Sequence, residues 1–191
     1  GKKRVWNAGA GFYYHPDSMA YLDTGLRVAD TVIAGLDTFA ELPLGEGSAF
    51  TLYANGEYQS LGPSYVRNIG IMNPSSGLSK TGPRSFNGAG NAVPTIGTGM
   101  TYYGHAGYLL PDVLGRAGQL QPYVSVRWSQ LEGLGGPVVV PEAGVNWLIA
   151  GQHAKVTLHY RSRPVFVAQT SGKPVERDRK SEVTLQLQFM Y

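Results

Sequence analysis

At 191 residues and a net charge of +3, the chain is long enough for one domain with a sizeable core and too weakly basic to mark a nucleic-acid partner. Charged residues make up 15%, well below the usual quarter, and 26 glycines and 12 tyrosines argue against a helical bundle and for an all-β chain with many turns. The absence of cysteine excludes disulfides and thiolate metal sites. No apolar run approaches the roughly 20 residues of a spanning helix. No basic-plus-apolar leader opens the chain, which starts on Gly1 rather than Met, as a processed, engineered or partial sequence would.

Taken in order, apolar and polar residues alternate with the period of two that a strand imposes on its side chains. Val5 to Tyr14 sets Trp6, Ala8, Ala10, Phe12 and Tyr14 against Asn7, Gly9, Gly11 and Tyr13. A polar connection is expected from His15 to Val28, then a strand from Thr31 to Pro43 with Asp37 and Glu41 on its polar side. Gly45 to Ser48 reads as a tight turn. Ala49 to Tyr58 sets Phe50, Leu52, Ala54 and Tyr58 against Thr51, Tyr53, Asn55 and Glu57. The Gly-, Ser-, Pro- and Asn-rich stretch at about 59–97 reads as a long loop, a length that usually carries function or disorder.

Four more strands follow. Thr98 to Leu110 places Met100, Tyr102, Ala106 and Tyr108 opposite Thr101, Tyr103 and His105. Gln121 to Gln130 places Val124, Val126 and Trp128 opposite Tyr123, Ser125, Arg127 and Ser129. Val140 to Ala150 places Ala143, Val145, Trp147 and Ile149 opposite Glu142 and Asn146. Ala154 to Arg163 places Val156, Leu158 and Tyr160 opposite Lys155, Thr157, His159 and Arg161. After a charged loop at about Val167 to Lys180, Val183, Leu185, Leu187, Phe189 and Tyr191 alternate with Thr184, Gln186, Gln188 and Met190.

About eight amphipathic strands of roughly ten residues, joined by alternately long and short connections, predict a transmembrane antiparallel up-and-down β-barrel. The aromatic residues of the apolar faces sharpen this. Trp6, Phe50, Tyr108, Trp147, Phe189 and Tyr191 fall at the short-turn ends, and Tyr14, Tyr58, Tyr102, Trp128 and Tyr160 at the long-loop ends. Two such girdles flanking an apolar band are what lipid–water interfaces select. A soluble sandwich would instead put charge on its outer side and would not sort aromatics by height. The expected location is therefore the bacterial outer membrane, with outer-membrane lipid as the surrounding partner.

Gly107 to Pro111, Gly115 to Val124, Ala143 to Tyr160 and Val183 to Gln188 together resemble the C-terminal part of the phosphate-selective porin O and P family. The resemblance covers most of residues 97–191 and is looser before them. It implies a trimeric channel of about sixteen strands, of which residues 1–191, a single β-barrel domain or the C-terminal half of one, would supply the last eight. It also implies recognition of the terminal strand by the outer-membrane assembly machinery. The arginine ladder and lysine cluster that would mark phosphate specificity are not seen.

Read by parity, the lumen would be lined by Arg127, Lys155, His159, Arg161 and Arg163 and by Asp37, Glu41, Glu57, Glu142 and Glu182. The signs nearly balance. They fit either cross-strand pairs, with Arg127, Glu142 and Arg161 at similar heights, or a basic strip that guides anions. Eight strands alone would close into a cylinder packed with side chains. Inward glycines such as Gly9, Gly11, Gly35, Gly107 and Gly144 fill such an interior poorly, which favours the wall of a larger barrel. The expected function is passive diffusion of small hydrophilic solutes, anions among them. A structural barrel that anchors or plugs an envelope complex is the alternative. No cofactor or metal is implied, since no histidine has ligand spacing, and no hydrolase or phosphate-loop motif is present. A barrel hydrolase using His105 or His159 stands as the least favoured reading.

Overall fold

The computed structural model describes residues 3–69, 93–170 and 172–190. Its strands are β1 (Val5–Leu22), β2 (Leu26–Gly45), β3 (Ser48–Ser60), β4 (Val66–Ile69), β5 (Val93–Gly97), β6 (Gly99–Leu109), β7 (Gln119–Leu131), β8 (Val138–Gln152), β9 (Ala154–Val167) and β10 (Val175–Phe189). Eight of them form one antiparallel sheet in the order β1-β2-β3-β6-β7-β8-β9-β10. The sheet is a meander in which each strand pairs with the next. Among the described residues no ladder joins β10 back to β1, so the sheet is open at both edges. β4 and β5 form a separate hairpin.

The period-two pattern produces two unlike faces: from β3 to β9 the apolar face is the more exposed, and the edge strands β1 and β10 are largely exposed on both faces. On the apolar face Trp6 is 72% exposed, Leu185 68% and Val124 58%, whereas on the polar face Ser129 is 0% exposed and Arg163 6%. In β7 the alternation is unbroken: Val124, Val126 and Trp128 are exposed, while Ser125 and Ser129 are buried between them.

The conventional apolar core is small and sits at the long-loop end. There the β4–β5 hairpin lies over the polar face of β7, β8 and β9. Val93 packs with Leu131, Leu134, Val138, Val140 and Phe166. The Arg127 Nη2 donates to the Pro94 carbonyl across 3.2 Å. Thr98 ties down the hairpin's root: its hydroxyl accepts from the Leu61 N–H at 3.0 Å, and its carbonyl accepts from the Glu132 N–H at 2.8 Å. The following residue must be glycine, because Gly99 has φ +146° and a Cβ there would lie 2.0 Å from the Gln130 carbonyl oxygen.

Two expectations need correction. The connection expected from His15 to Val28 is mostly strand: β1 runs on to Leu22, with a bulge between His15 and Met19, and β2 starts at Leu26. Likewise β9 continues to Val167 and β10 starts at Val175, which shortens the loop expected at 167–180. Neither extension alternates, since residues 15–22 carry polar groups on both faces and Pro164 to Val167 are apolar throughout, while the backbone ladder continues. Of the long loop expected at 59–97, the two ends form the β4–β5 hairpin, and residues 70–92 lie outside the described residues.

The register gives the sheet a slant. One row of cross-strand partners runs from Trp6 through Ala40, Leu52, Ala106, Val124 and Ala143 to Tyr160 and Val183. On β1 this row passes through the short-turn aromatic, Trp6, eight residues before Tyr14; on β9 it passes through the long-loop aromatic, Tyr160. On β10 it crosses at Val183, six residues before Phe189. Lines drawn through the aromatics of either rim therefore cross the rows obliquely and in the same sense. At about 3.3 Å per residue and about 4.8 Å between strands, the strands lean about 30–40° from the perpendicular to those lines.

Candidate functional site

The polar face is the candidate site, and its central row is set by register. Tyr53, His105, Ser125, Glu142, Arg161 and Glu182 are successive cross-strand partners from β3 to β10. The seven pore-lining candidates, Glu57, Arg127, Glu142, Lys155, His159, Arg161 and Arg163, all share this face.

The charges pair differently from the sequence expectation. Arg161 stands opposite Glu142 in the ladder, yet its guanidinium turns the other way, with Nε donating to Glu182 Oε2 at 2.8 Å. Arg163 Nε donates to the second oxygen, Oε1, at 2.6 Å. One carboxylate thus holds two arginines, and charge-assisted bonds of this kind are the strong ones. Glu142 is left to accept from the Ser125 hydroxyl at 2.8 Å, with His159 Nε2 3.9 Å from its other oxygen. The expected mutual pairing of Arg127, Glu142 and Arg161 does not form. Arg127 is held under the hairpin by the Pro94 carbonyl, and its Nε has no hydrogen-bond partner.

Toward β1 the balance changes. Asp37 makes no ion pair among the described residues, and Glu57 accepts only from the Gln59 side-chain amide. Both border a hollow of about 450 Å³ that Tyr13, Tyr53 and Asn55 also line, with Gly11 and Gly35 at its floor.

Aromatic rings pave the middle of the face. Tyr53 and Tyr103 lie 6.0 Å apart between ring centroids, and His105 and Tyr123 5.3 Å apart. Tyr123 and His159 are nearly coplanar, 18° between planes and 6.0 Å between centroids, and the tyrosine hydroxyl is 2.7 Å from His159 Nδ1. Gly144 makes this possible. It stands between Tyr123 and His159 in the register, and a Cβ on it would fall 2.5 Å from the Tyr123 Cζ and hydroxyl. The ring therefore lies flat across β8. Parity alone placed these rings on the polar face; only the register shows that they adjoin.

Comparison with protein-family models, characterised proteins and solved structures finds no match to this chain. The functional reading therefore rests on the chain's own geometry. Among the described residues no cluster of three His, Asp or Glu is placed to hold a metal ion, and no helix is long and apolar enough to cross a membrane.

The aromatic residues of the other face turn their polar tips to local partners. Trp6 Nε1 donates to the Thr38 hydroxyl at 3.0 Å, Trp147 Nε1 to the Ala117 carbonyl at 2.7 Å, and the Tyr14 hydroxyl to Asp30 at 2.9 Å. The Tyr160 hydroxyl lies 3.0 Å from that of Ser181. Phe50 packs on Tyr108 and Tyr102 on Trp128 across the strands, and Tyr58 and Phe189 are exposed. Tyr191 lies outside the described residues.

Proposed function

We propose that the chain forms wall of an outer-membrane β-barrel of porin type, whose polar face lines a water-filled path for small hydrophilic solutes. The observation that carries this is the inverted burial: a broad apolar face is exposed, and from β3 to β9 the polar face is the more buried of the two. Monomeric soluble proteins rarely expose apolar patches beyond a few hundred Å², whereas hydrocarbon demands such a face. The slant of the two aromatic lines supports the same reading, since strands of outer-membrane barrels tilt by about 35–45°. An apolar groove between Trp6, Leu52, Ala106, Val124 and Pro141 suits an acyl chain.

The open edges bear on the size of the barrel. Unpaired backbone groups are not tolerated in hydrocarbon, so β1 and β10 must each meet a further strand. Closing these eight strands on themselves would make a cylinder that needs side chains to fill it. The glycines at 9, 11, 35, 107 and 144 supply none. A larger barrel of about sixteen strands meets both demands. Within it, Glu182 offsets one of the two charges of Arg161 and Arg163, which weakens any basic strip, and the β4–β5 hairpin narrows the path from one end.

Single-channel recording from the purified protein in planar lipid bilayers tests the reading. Steady stepwise currents are expected. A silent bilayer with inserted protein would refute the channel and leave the barrel as an anchor or plug.

A further inference from the structure

The rings on the polar face need a use, because a wall that only held water would not require them. The tiles formed by His105, Tyr123 and His159 lie within 31° and 18° of their neighbours' planes. Gly144 is the gap that lets the Tyr123 ring lie over β8 and reach His159. Tyr53 and Tyr103, tilted 53° to each other, extend the cluster of rings to β3, where the hollow beside Tyr13 offers Asp37, Asn55 and Glu57. The rings lie in three adjacent register rows: Tyr103 opposite Asn55, Tyr53 opposite His105, and Tyr123 and His159 on either side of Gly144.

We infer that this cluster of rings binds neutral pyranose sugars on the polar face, an inference that rests on the channel reading above. Flat aromatic faces hold a solute with flat apolar faces, and a pyranose presents C–H faces of that kind inside a rim of hydroxyls. Carboxylates and amides at the edge of the rings accept and donate to those hydroxyls. At the hollow, charge argues against anions, since it is lined by Asp37 and Glu57 with no lysine or arginine. A hollow of about 450 Å³ lies within the size range of small-molecule sites.

The test is current block by maltohexaose in planar bilayers containing the protein. Reversible interruptions of the ionic current at millimolar sugar are expected. Tyr123→Ala should weaken the block about threefold to tenfold, while Tyr123→Phe, which keeps the ring, should retain it. The ionic conductance of each variant reports that it has folded and inserted. Full current with no effect of sugar would overturn the inference and leave the channel reading intact, as would block by choline or phosphate in place of sugar. Absence of any current would instead overturn the channel. Calorimetric titration of maltohexaose into detergent-solubilised protein then decides the sugar site alone, and no heat of binding would overturn it.

Discussion

Val124 sits in the middle of β7, 58% exposed, between Ala106 and Ala143 on the neighbouring strands. Trp128 of the long-loop line is four residues above it, and Leu120, the register partner of Trp147, is four residues below. At about 3.3 Å per residue and a lean of about 35°, the two aromatic lines are about 22 Å apart on this strand. That matches an apolar band about 25 Å tall and puts Val124 at its centre. Val124→Arg should therefore carry the full midplane penalty of about 2–4 kcal/mol, a loss of roughly thirtyfold to a thousandfold in the folding equilibrium. Thr51→Arg is the matched control. It faces the polar side between Glu41 and Gly107, where a guanidinium has room and an acid nearby, and it should cost less than about 0.5 kcal/mol. The assay is urea unfolding in lipid vesicles followed by tryptophan fluorescence. If the protein were soluble, an arginine at a position as exposed as Val124 would also change stability by no more than about 0.5 kcal/mol. Equal stability of the two variants would thus refute the lipid-facing assignment.

Glu182→Gln removes the acid shared by Arg161 and Arg163, the latter almost fully buried, and should cost about 3 kcal/mol. In surviving channels it should move the reversal potential in a salt gradient toward anions; no movement would take these arginines out of the permeation path. Gly144→Ala drives a methyl into the Tyr123 ring and should destabilise by about 1–3 kcal/mol, with Tyr123→Ala in the same chain relieving most of it. Independent, additive effects in that pair would contradict the flat placement of the ring. All three tryptophans, Trp6, Trp128 and Trp147, belong to the aromatic lines. Lipids brominated near the headgroup should quench them, and lipids brominated at the chain ends should not.

The fold was legible wherever one face of a strand is apolar and the other polar. Val124 to Trp128 alternates so cleanly that its strand, its faces and the order of exposure follow from the residues alone. His15 to Leu22 carries polar groups on both sides, so nothing in its pattern separates a strand from a loop, and the ladder there is set by the pairing of β1 with β2. The β4–β5 hairpin was hidden for a similar reason. Val93 to Gly97 is too short to show a period, and its place comes from Val93 packing on residues of β7, β8 and β9. At the site, parity groups the charged candidates on one face and the described aromatic candidates on the other. It could not show that Arg161 turns from Glu142 to Glu182, or that Tyr123 reaches His159 across Gly144. Both depend on which residues stand opposite one another, information that belongs to the sheet and not to any single strand.

The central claim is that the exposed apolar face meets hydrocarbon and the polar face meets water. On β10 the structure leaves Val183, Thr184, Leu185, Gln186 and Leu187 all exposed. Because the chain has no cysteine, single cysteines can be placed at each in turn. In lipid vesicles, a membrane-impermeant thiol reagent should label Thr184→Cys and Gln186→Cys and spare Val183→Cys, Leu185→Cys and Leu187→Cys. Labelling of all five alike would contradict the account.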